Sequence, residues 1–231
     1  ITEREKEIEL FKPEEYWTIA ATFAAKAGSF IAQLTHIGKK KAELSSQKQI
    51  DEIVPKIKQA SYTIDSITDK ERLKNPLPPF ETSTLQQAAF NQLGFTVKKT
   101  MQLAKQLYEG VTLDDPKSTV ALITYMRTDS LRLSDTALKQ ARSFISEHFE
   151  KAYLPSKANI YGGKSKAATQ DAHEAIRPIN VAITPSQASR YLPKDLAKLY
   201  ELIWKRFVAC QMKPARYAQR QVVVIGDAFT F

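Results

Sequence analysis

The chain has 231 residues, of which 43% are hydrophobic and 26% are charged, so it can bury the core of one large domain or of two small ones. No apolar run approaches the roughly 20 residues that a membrane-spanning helix needs, and the single cysteine, Cys210, gives neither an internal disulfide nor a four-cysteine zinc site. The net charge of +9 favours a polyanionic partner without identifying it, and no glycine-rich sequence for binding ATP phosphates is present. These features predict a cytoplasmic protein, and the first residue, Ile1, indicates an excised fragment.

The first part of the chain is predicted to pass from a helix into a β-hairpin. Residues 1–12 are strongly charged and form the end of a helix that stops near Pro13. Beyond them, apolar residues alternate with others on both sides of a turn at Gly28, which is the pattern of two antiparallel strands. The residues of the apolar face are Trp17, Ile19, Ala21, Phe23, Phe30, Ala32 and Leu34.

A short helix and a further strand are predicted next. Ser46 and Gln49 have the spacing of a capping box, and apolar residues follow at helical intervals around Pro55, which should kink or end the helix. Residues 61–68 alternate again, which predicts a strand. Residues 75–79 (NPLPP) cannot continue a helix or a central strand, because proline lacks an amide donor and restricts the residue before it. We therefore expect a domain boundary there.

The sequence beyond this boundary is helical. Ser83 and Gln86 repeat the capping-box spacing and begin a helix that Gly94 ends, and Thr96 can cap a second helix that continues to Glu109. Two helices joined by a short glycine-containing turn resemble a helix-turn-helix.

Two later helices and a final strand complete the pattern. Ser134 caps a helix, residues 158–170 are expected to form a mobile polar loop, and a long helix begins at Lys194 and ends before Pro214. The sequence QVVVI at 221–225 then begins a strand. The predicted apolar faces are Leu138, Ala141, Ile145 and Phe149 on the first helix, and Leu196, Leu199, Ile203, Phe207 and Cys210 on the second.

The order of these elements predicts a mixed α and β protein with more than one domain. Residues 1–13 would be the end of a helix that belongs to a preceding domain. Residues 14–74 and 215–231 would form a β-rich domain, and the helical domain, residues 75–214, would be inserted between its two parts.

The most informative segment is Leu122–Ser130, which reads LITYMRTDS. If it is extended, Tyr125, Arg127 and Asp129 lie on one face, because side chains alternate along a strand. A hydroxyl nucleophile beside a guanidinium suits attack on a phosphodiester, because arginine binds phosphate oxygens in a bidentate manner. A half-buried strand with one aromatic residue would show the same Tyr-x-Arg spacing, so the spacing alone does not establish catalysis.

Four segments together resemble the bacterial members of the type IA DNA topoisomerase family. LITYMRTDS is similar to the active-site signature of that family. The other three are PPFETSTLQQAA at Pro78–Ala89, AHEAIRP at Ala172–Pro178 and LYELIWKRFVACQM at Leu199–Met212. The resemblance covers nearly all of the chain, and it implies a helix-turn-helix-like domain that carries the nucleophilic tyrosine, inserted in a β-rich arch (hinge) domain.

The resemblance also implies a reaction and roles for three residues. Tyr125 would attack single-stranded DNA and form a 5′-phosphotyrosine intermediate, so that negatively supercoiled duplex DNA is relaxed without ATP. Arg127 would favour the phenolate and stabilise the phosphoryl charge, because a free phenol titrates at about pH 10 and is a weak nucleophile. His173, in the AHEAIRP segment, would donate to the phosphate or move a proton. The expected location is the bacterial cytoplasm, at the nucleoid.

Further polar residues are candidates for supporting roles. Asp129 could hold Arg127 or His173 by a hydrogen bond, or it could cap the turn that follows. Glu174 could orient its neighbours. Helix capping alone would explain Ser83 and Thr84, and a solvated helix face would explain Lys98 and Lys99. The candidate DNA-binding residues are Arg177, Ser83, Thr84, Lys98 and Lys99.

Magnesium is the cofactor that the resemblance implies, bound by an acidic Asp-x-Asp site on a separate Toprim domain. This chain contains no Asp-x-Asp sequence, and its compact acidic pair, Asp114-Asp115, precedes Pro116 in a loop. We therefore expect no catalytic metal in this chain, a need for the remaining domains of the same polypeptide, and little activity in the isolated fragment. Two alternatives stay open: a DNA-binding module without chemistry, and a reverse gyrase or topoisomerase III within the same family.

Overall fold

The structure, a computed structural model, describes residues 2–26, 28–113, 118–162 and 173–231. The chain divides into two compact units, which we call unit 1 (residues 1–72 and 217–231) and unit 2 (residues 73–216). The two limits of unit 2 lie within two residues of the limits predicted for the helical domain, 75 and 214, whereas residues 1–13, predicted to belong to a preceding domain, are grouped with unit 1. The expected mixture of helices and strands is confirmed.

The helices and strands are named here in chain order. The helices are α1 (Thr2–Glu9), α2 (Gln47–Gln59), α3 (Thr82–Leu93), α4 (Val97–Glu109), α5 (Asp135–His148), α6 (Pro185–Ala188) and α7 (Lys194–Cys210). The strands are β1 (Ala20–Ala25), β2 (Gly28–Gln33), β3 (His36–Ile37), β4 (Lys40–Lys41), β5 (Thr63–Lys74), β6 (Val111–Thr112), β7 (Thr119–Val120), β8 (Ala215–Gly226) and β9 (Phe229–Thr230). A 3₁₀ turn lies at Lys151–Tyr153. In the part of the chain that the structure describes, no helix is long and apolar enough to span a membrane.

Unit 1 contains the predicted hairpin. β1 and β2 pair antiparallel from Ala20 opposite Gln33 to Ala25 opposite Gly28, so the hairpin is confirmed, although Gly28, where the turn was predicted, is the first residue of β2. A five-stranded sheet has the order β4-β3-β9-β8-β5. The strand predicted at 61–68 is β5, which begins later and runs further. The buried core residues of unit 1 are Leu34, Leu44, Ile57, Val224, Phe229 and Phe231.

Two details of α2 differ from the prediction. Ser46 is the N-cap residue but its side chain makes no capping hydrogen bond, because the Gln49 side chain instead accepts from the backbone N–H of Ser45 at 2.8 Å. The helix also continues through Pro55 rather than ending there. Proline removes one intrahelical hydrogen bond, but Ile57 beyond it is buried in the core of unit 1, and this packing keeps the last turn helical.

The first two helices of unit 2 end and begin where the sequence predicts. Gly94 follows α3 with a φ of +68°, a left-handed conformation that glycine adopts without strain. Thr96 caps α4, because its Oγ1 accepts a hydrogen bond from the backbone N–H of Lys99 at 3.3 Å. The two helices and the short turn expected of a helix–turn–helix are therefore present in this segment.

The start of α3 was predicted wrongly. Its N-cap residue is Glu81 rather than Ser83, and the backbone N–H of Glu81 donates to Thr84 Oγ1 at 3.1 Å. Ser83 lies inside the first turn, where its hydroxyl donates to Glu81 Oε1 at 2.8 Å. The correct capping pair is thus two residues earlier than the spacing of Ser83 and Gln86 indicated.

Helices α7 and α5 both contribute buried apolar side chains to the core of unit 2. All five residues predicted for the apolar face of α7 are buried. On α5, Ser134 is the cap as predicted, but Phe144 is buried and Phe149 is 39% exposed, since the helix ends before Phe149. The thiol of Cys210 is fully buried, and this burial raises its pKa to about 12, as expected of a structural cysteine.

Candidate active site

Three of the motif segments meet in unit 2. Phe80 and Ile176 form an isolated β-bridge, and so do Ile123 and Pro178. The backbone N–H of Ile176 donates to Phe80 O at 2.7 Å, and that of Thr124 donates to the carbonyl of the residue before Pro178 at 2.9 Å. The AHEAIRP segment therefore bonds to both of the other segments, PPFETST and LITYMRTDS.

The predicted alternation along LITYMRTDS is confirmed, although the segment is not a regular strand. Tyr125, Arg127 and Asp129 are exposed, and Tyr125 retains 43% of its accessible surface. Between them, Met126 and Thr128 are buried, at 6% and 8% exposure. The nucleophile candidate and the guanidinium are thus both open to solvent, with the buried Met126 between them.

Thr124 fixes the backbone on one side of Tyr125. Its Oγ1 donates to Ala175 O at 2.7 Å and accepts a hydrogen bond from the backbone N–H of Arg177 at 3.0 Å. The hydroxyl therefore ties the residue before the candidate nucleophile to the AHEAIRP segment, which carries His173.

Thr82 fixes the backbone on the other side. Its hydroxyl proton is shared between the carbonyl oxygens of Met126 (2.8 Å) and Thr128 (3.0 Å), and its Oγ1 accepts from the backbone N–H of Thr128 at 2.9 Å. We call Thr82 and Thr124 the threonine clips. The sequence prediction missed both, although the polar Thr124 at an inward position of the alternating segment was a visible sign of a buried hydrogen bond.

A cleft of about 420 Å³ opens beside these residues. Its lining residues are Glu81, Thr82, Ser83, Arg127, Thr128, Asp129 and His173. It brings together three residues predicted from two separate motifs, Arg127, Asp129 and His173. A basic guanidinium and an imidazole that share an open cleft can contact one anionic group.

Asp129 does not do what either prediction expected. Among the described residues it forms no hydrogen bond or ion pair with Arg127 or His173. The turn after the segment is held by Thr128 instead, whose Oγ1 accepts from the backbone N–H of Ser130 at 3.0 Å. In this structure Asp129 contributes an exposed carboxylate to the cleft.

Glu174 and Arg177 form a nearly buried ion pair beside His173. Arg177 Nε and Nη2 donate to the two oxygens of Glu174 at 2.8 and 2.9 Å, and the side chains are 12% and 19% exposed for Arg177 and Glu174 respectively. Glu174 also accepts from the backbone N–H of Ser134 at 2.7 Å. Burial raises the pKa of the Glu174 carboxyl, but the hydrogen bonds from Arg177 and Ser134 outweigh it and the net pKa is lowered.

This geometry agrees with an orienting role for Glu174 and leaves little of Arg177 for DNA. The remaining Nη1 group of Arg177 donates to Pro178 O at 2.9 Å, so all three guanidinium nitrogens already form hydrogen bonds within the chain. A phosphate contact by Arg177 stays a prediction that this arrangement does not favour.

The other candidate DNA-binding residues differ in whether their side chains are free to contact DNA. Ser83 lines the cleft, whereas Thr84 serves the cap of α3. Lys98 is exposed on α4. Lys99 Nζ lies 2.5 Å from Asp195 Oδ2 and 4.3 Å from the centre of the Phe95 ring, so its charge is already paired. Lys98 is therefore the freer of the two lysines.

The described residues form no group of three histidine, cysteine or acidic side chains that could hold a metal ion. Asp114 and Asp115 lie outside the described residues, and so does the predicted loop 158–170 from residue 163 onward. The expectation that this chain binds no catalytic metal therefore stays a prediction.

Comparisons with known proteins identify the family. A family model described as DNA topoisomerase matches residues 1–231. DNA topoisomerase 1 of Campylobacter jejuni is 46% identical over 231 residues, which are 100% of this chain and 33% of that protein. DNA topoisomerase 1 of Treponema pallidum is 49% identical over 216 residues, which are 94% of this chain and 29% of that protein.

A solved structure agrees with these matches. The full-length topoisomerase I from Thermotoga maritima superposes with a TM-score of 0.73 at 36% identity, covering 99% of this chain and 35% of that one. The chain thus spans about a third of the length of the relatives that it matches. With a family model matched along its whole length and three of its motif segments bonded to one another, the chain belongs to the DNA topoisomerase family.

Proposed function

We propose that the chain is the tyrosine-bearing part of a type IA DNA topoisomerase, which cleaves and rejoins single-stranded DNA through a 5′-phosphotyrosine intermediate. In the complete bacterial protein this reaction relaxes negatively supercoiled duplex DNA without ATP, in the cytoplasm at the nucleoid. One observation carries the proposal: Tyr125 is exposed two residues before Arg127, and Arg127 lines a cleft with His173.

The reaction is an exchange of one phosphate ester for another. The Tyr125 oxygen attacks the phosphorus, the bond from phosphorus to the 3′ oxygen breaks, and the released 3′ hydroxyl takes a proton. Because the new ester resembles the old one, resealing is the same step reversed and needs no outside energy. Arg127 stabilises the charge on the phosphoryl oxygens, and His173 is placed to donate to the same phosphate or to move the proton.

Magnesium and the remaining domains complete this proposal. We place the magnesium site on a Toprim domain outside these 231 residues, because the family resemblance implies an Asp-x-Asp site there and this sequence has no Asp-x-Asp. When bound there, the ion would neutralise phosphate charge. The 231-residue chain alone should therefore cleave little or no DNA.

A cleavage assay on the full-length protein tests the proposal. A single-stranded oligonucleotide labelled at its 3′ end should migrate with the protein after denaturation, because the 5′ phosphate of the 3′ fragment is attached to tyrosine. Tyr125→Phe should abolish this adduct, and Tyr153→Phe is the matched control, since Tyr153 is a similarly exposed tyrosine of unit 2.

Three other results would argue against the proposal. If label at the 5′ end moved with the protein, the polarity of the ester would be wrong. If Tyr125→Phe bound and processed DNA like the wild type, the chain would instead be a binding module that uses its helix–turn–helix pair, α3 and α4. Robust cleavage by the 231-residue chain alone would refute the division of the active site.

A further inference from the structure

The threonine clips hold the backbone around Tyr125, but they do not hold its ring. Tyr125 is 43% exposed, and an exposed side chain changes rotamer rapidly. Phosphoryl transfer needs the attacking oxygen in line with the bond that breaks, and a misplacement of about 1 Å can cost roughly 100-fold in rate. A group that restrains the phenol ring would therefore contribute to cleavage.

Tyr108 is such a group. Its ring centre lies 5.2 Å from that of Tyr125, and the two ring planes make an angle of 70°, which is an edge-to-face contact. Tyr125 makes no other aromatic contact with the described residues. The hydroxyl of Tyr108 forms no hydrogen bond among the described residues, so the contact with Tyr125 is made by the ring.

Tyr108 is itself held in place. It lies in the last turn of α4, next to Leu107, which is fully buried. Leu107 O accepts a hydrogen bond from the backbone N–H of Leu122 at 2.8 Å. The end of α4 is thus joined directly to the start of the segment that carries Tyr125, and the two rings stand on parts of the chain that are fixed to each other.

We propose that Tyr108 is a positioning residue, whose ring holds the phenol of Tyr125 in the orientation for attack on DNA. This inference rests on the proposed function, because it takes Tyr125 as the nucleophile. The alternative roles for Tyr108 are stacking on a DNA base, which its 39% exposure permits, and simple surface packing. These three roles predict different kinetics.

The test uses the full-length protein and single-turnover cleavage of an end-labelled single-stranded oligonucleotide, with affinity measured separately. Tyr108→Leu should lower the cleavage rate constant about three- to ten-fold, the range expected from the loss of one edge-to-face ring pair, and should leave affinity unchanged. Tyr108→Phe keeps the ring and should cleave like the wild type. Tyr153→Leu is the matched control, because Tyr153 makes an edge-to-face contact with Phe149 elsewhere in unit 2.

Each other outcome has a definite meaning. A wild-type rate constant in Tyr108→Leu, or an equal loss in Tyr153→Leu, would overturn the positioning role. Weaker oligonucleotide binding at an unchanged rate constant would replace it by base stacking. Loss of activity in Tyr108→Phe would show that the hydroxyl rather than the ring is needed. Failure of the proposed function itself is seen separately, as a covalent adduct that persists in Tyr125→Phe.

Discussion

The Glu174–Arg177 pair should contribute measurably to the stability of unit 2. Glu174→Gln keeps the shape of the side chain and removes its charge, which leaves the nearly buried guanidinium of Arg177 without a counter-ion. Breaking a buried pair in this way costs about 3–5 kcal/mol. Both side chains retain some exposure, and glutamine can still accept one hydrogen bond, so we expect a loss of about 2–3 kcal/mol.

The effect should depend on pH with a defined sign. The pKa of Glu174 is lowered from its usual value of 4.5 in the folded chain, so folding favours the ionised form. Its contribution is therefore complete at pH values above 4.5 and is lost as the pH falls through the lower folded pKa. The difference between wild type and Glu174→Gln should be largest near neutral pH and should shrink in acid.

Urea denaturation followed by tryptophan fluorescence can measure this difference. The chain has two tryptophans, and Trp204 is buried in unit 2, so a Trp17→Phe background makes the signal report on unit 2 alone. Glu201→Gln is the control, because Glu201 pairs with Lys205 at an exposed position of α7 and should contribute at most about 0.5 kcal/mol. If Glu174→Gln changed the free energy of unfolding no more than Glu201→Gln, the argument from burial would be refuted.

Two further substitutions test the packing described above. Thr82→Val leaves the backbone N–H of Thr128 without its acceptor and should lower the free energy of unfolding in urea by about 1–3 kcal/mol. Thr82→Ser keeps the hydroxyl and should be as stable as the wild type. Thr100→Val leaves no N–H group without an acceptor and should cost less. Gly226→Ala should lower the thermal midpoint of unit 1, because the added methyl carbon would stand 2.5 Å from the Tyr62 ring and overpacking costs about 1–3 kcal/mol. Unchanged melting would show that the ring moves aside freely.

Local signals in the sequence predicted the elements well. Gly94 and Thr96 act on the few residues around them, so the end of α3 and the start of α4 follow from the local sequence alone. The alternation that exposes Tyr125 and Arg127 is equally local. The error at Pro55 arose because burial in the core can outweigh one missing hydrogen bond, and burial depends on residues distant in sequence.

The parts of the site that were missed depend on long-range contacts. Thr82 bonds to residues more than 40 positions later, and Thr124 bonds to residues about 50 positions later. No local pattern specifies such partners, even though a resemblance can place the segments in one family. The ring contact between Tyr108 and Tyr125 belongs to the same class, because it depends on how α4 packs against the LITYMRTDS segment.

The buried thiol has a practical consequence for experiments. Cys210 is the only cysteine of the chain and is buried in the core of unit 2 at the end of α7, and burial raises its pKa to about 12, so it is almost entirely protonated near neutral pH. A second cysteine introduced at an exposed position would then be the one thiol of these residues that a maleimide dye or spin label reaches. Probes can be attached to such a variant without first replacing the native Cys210.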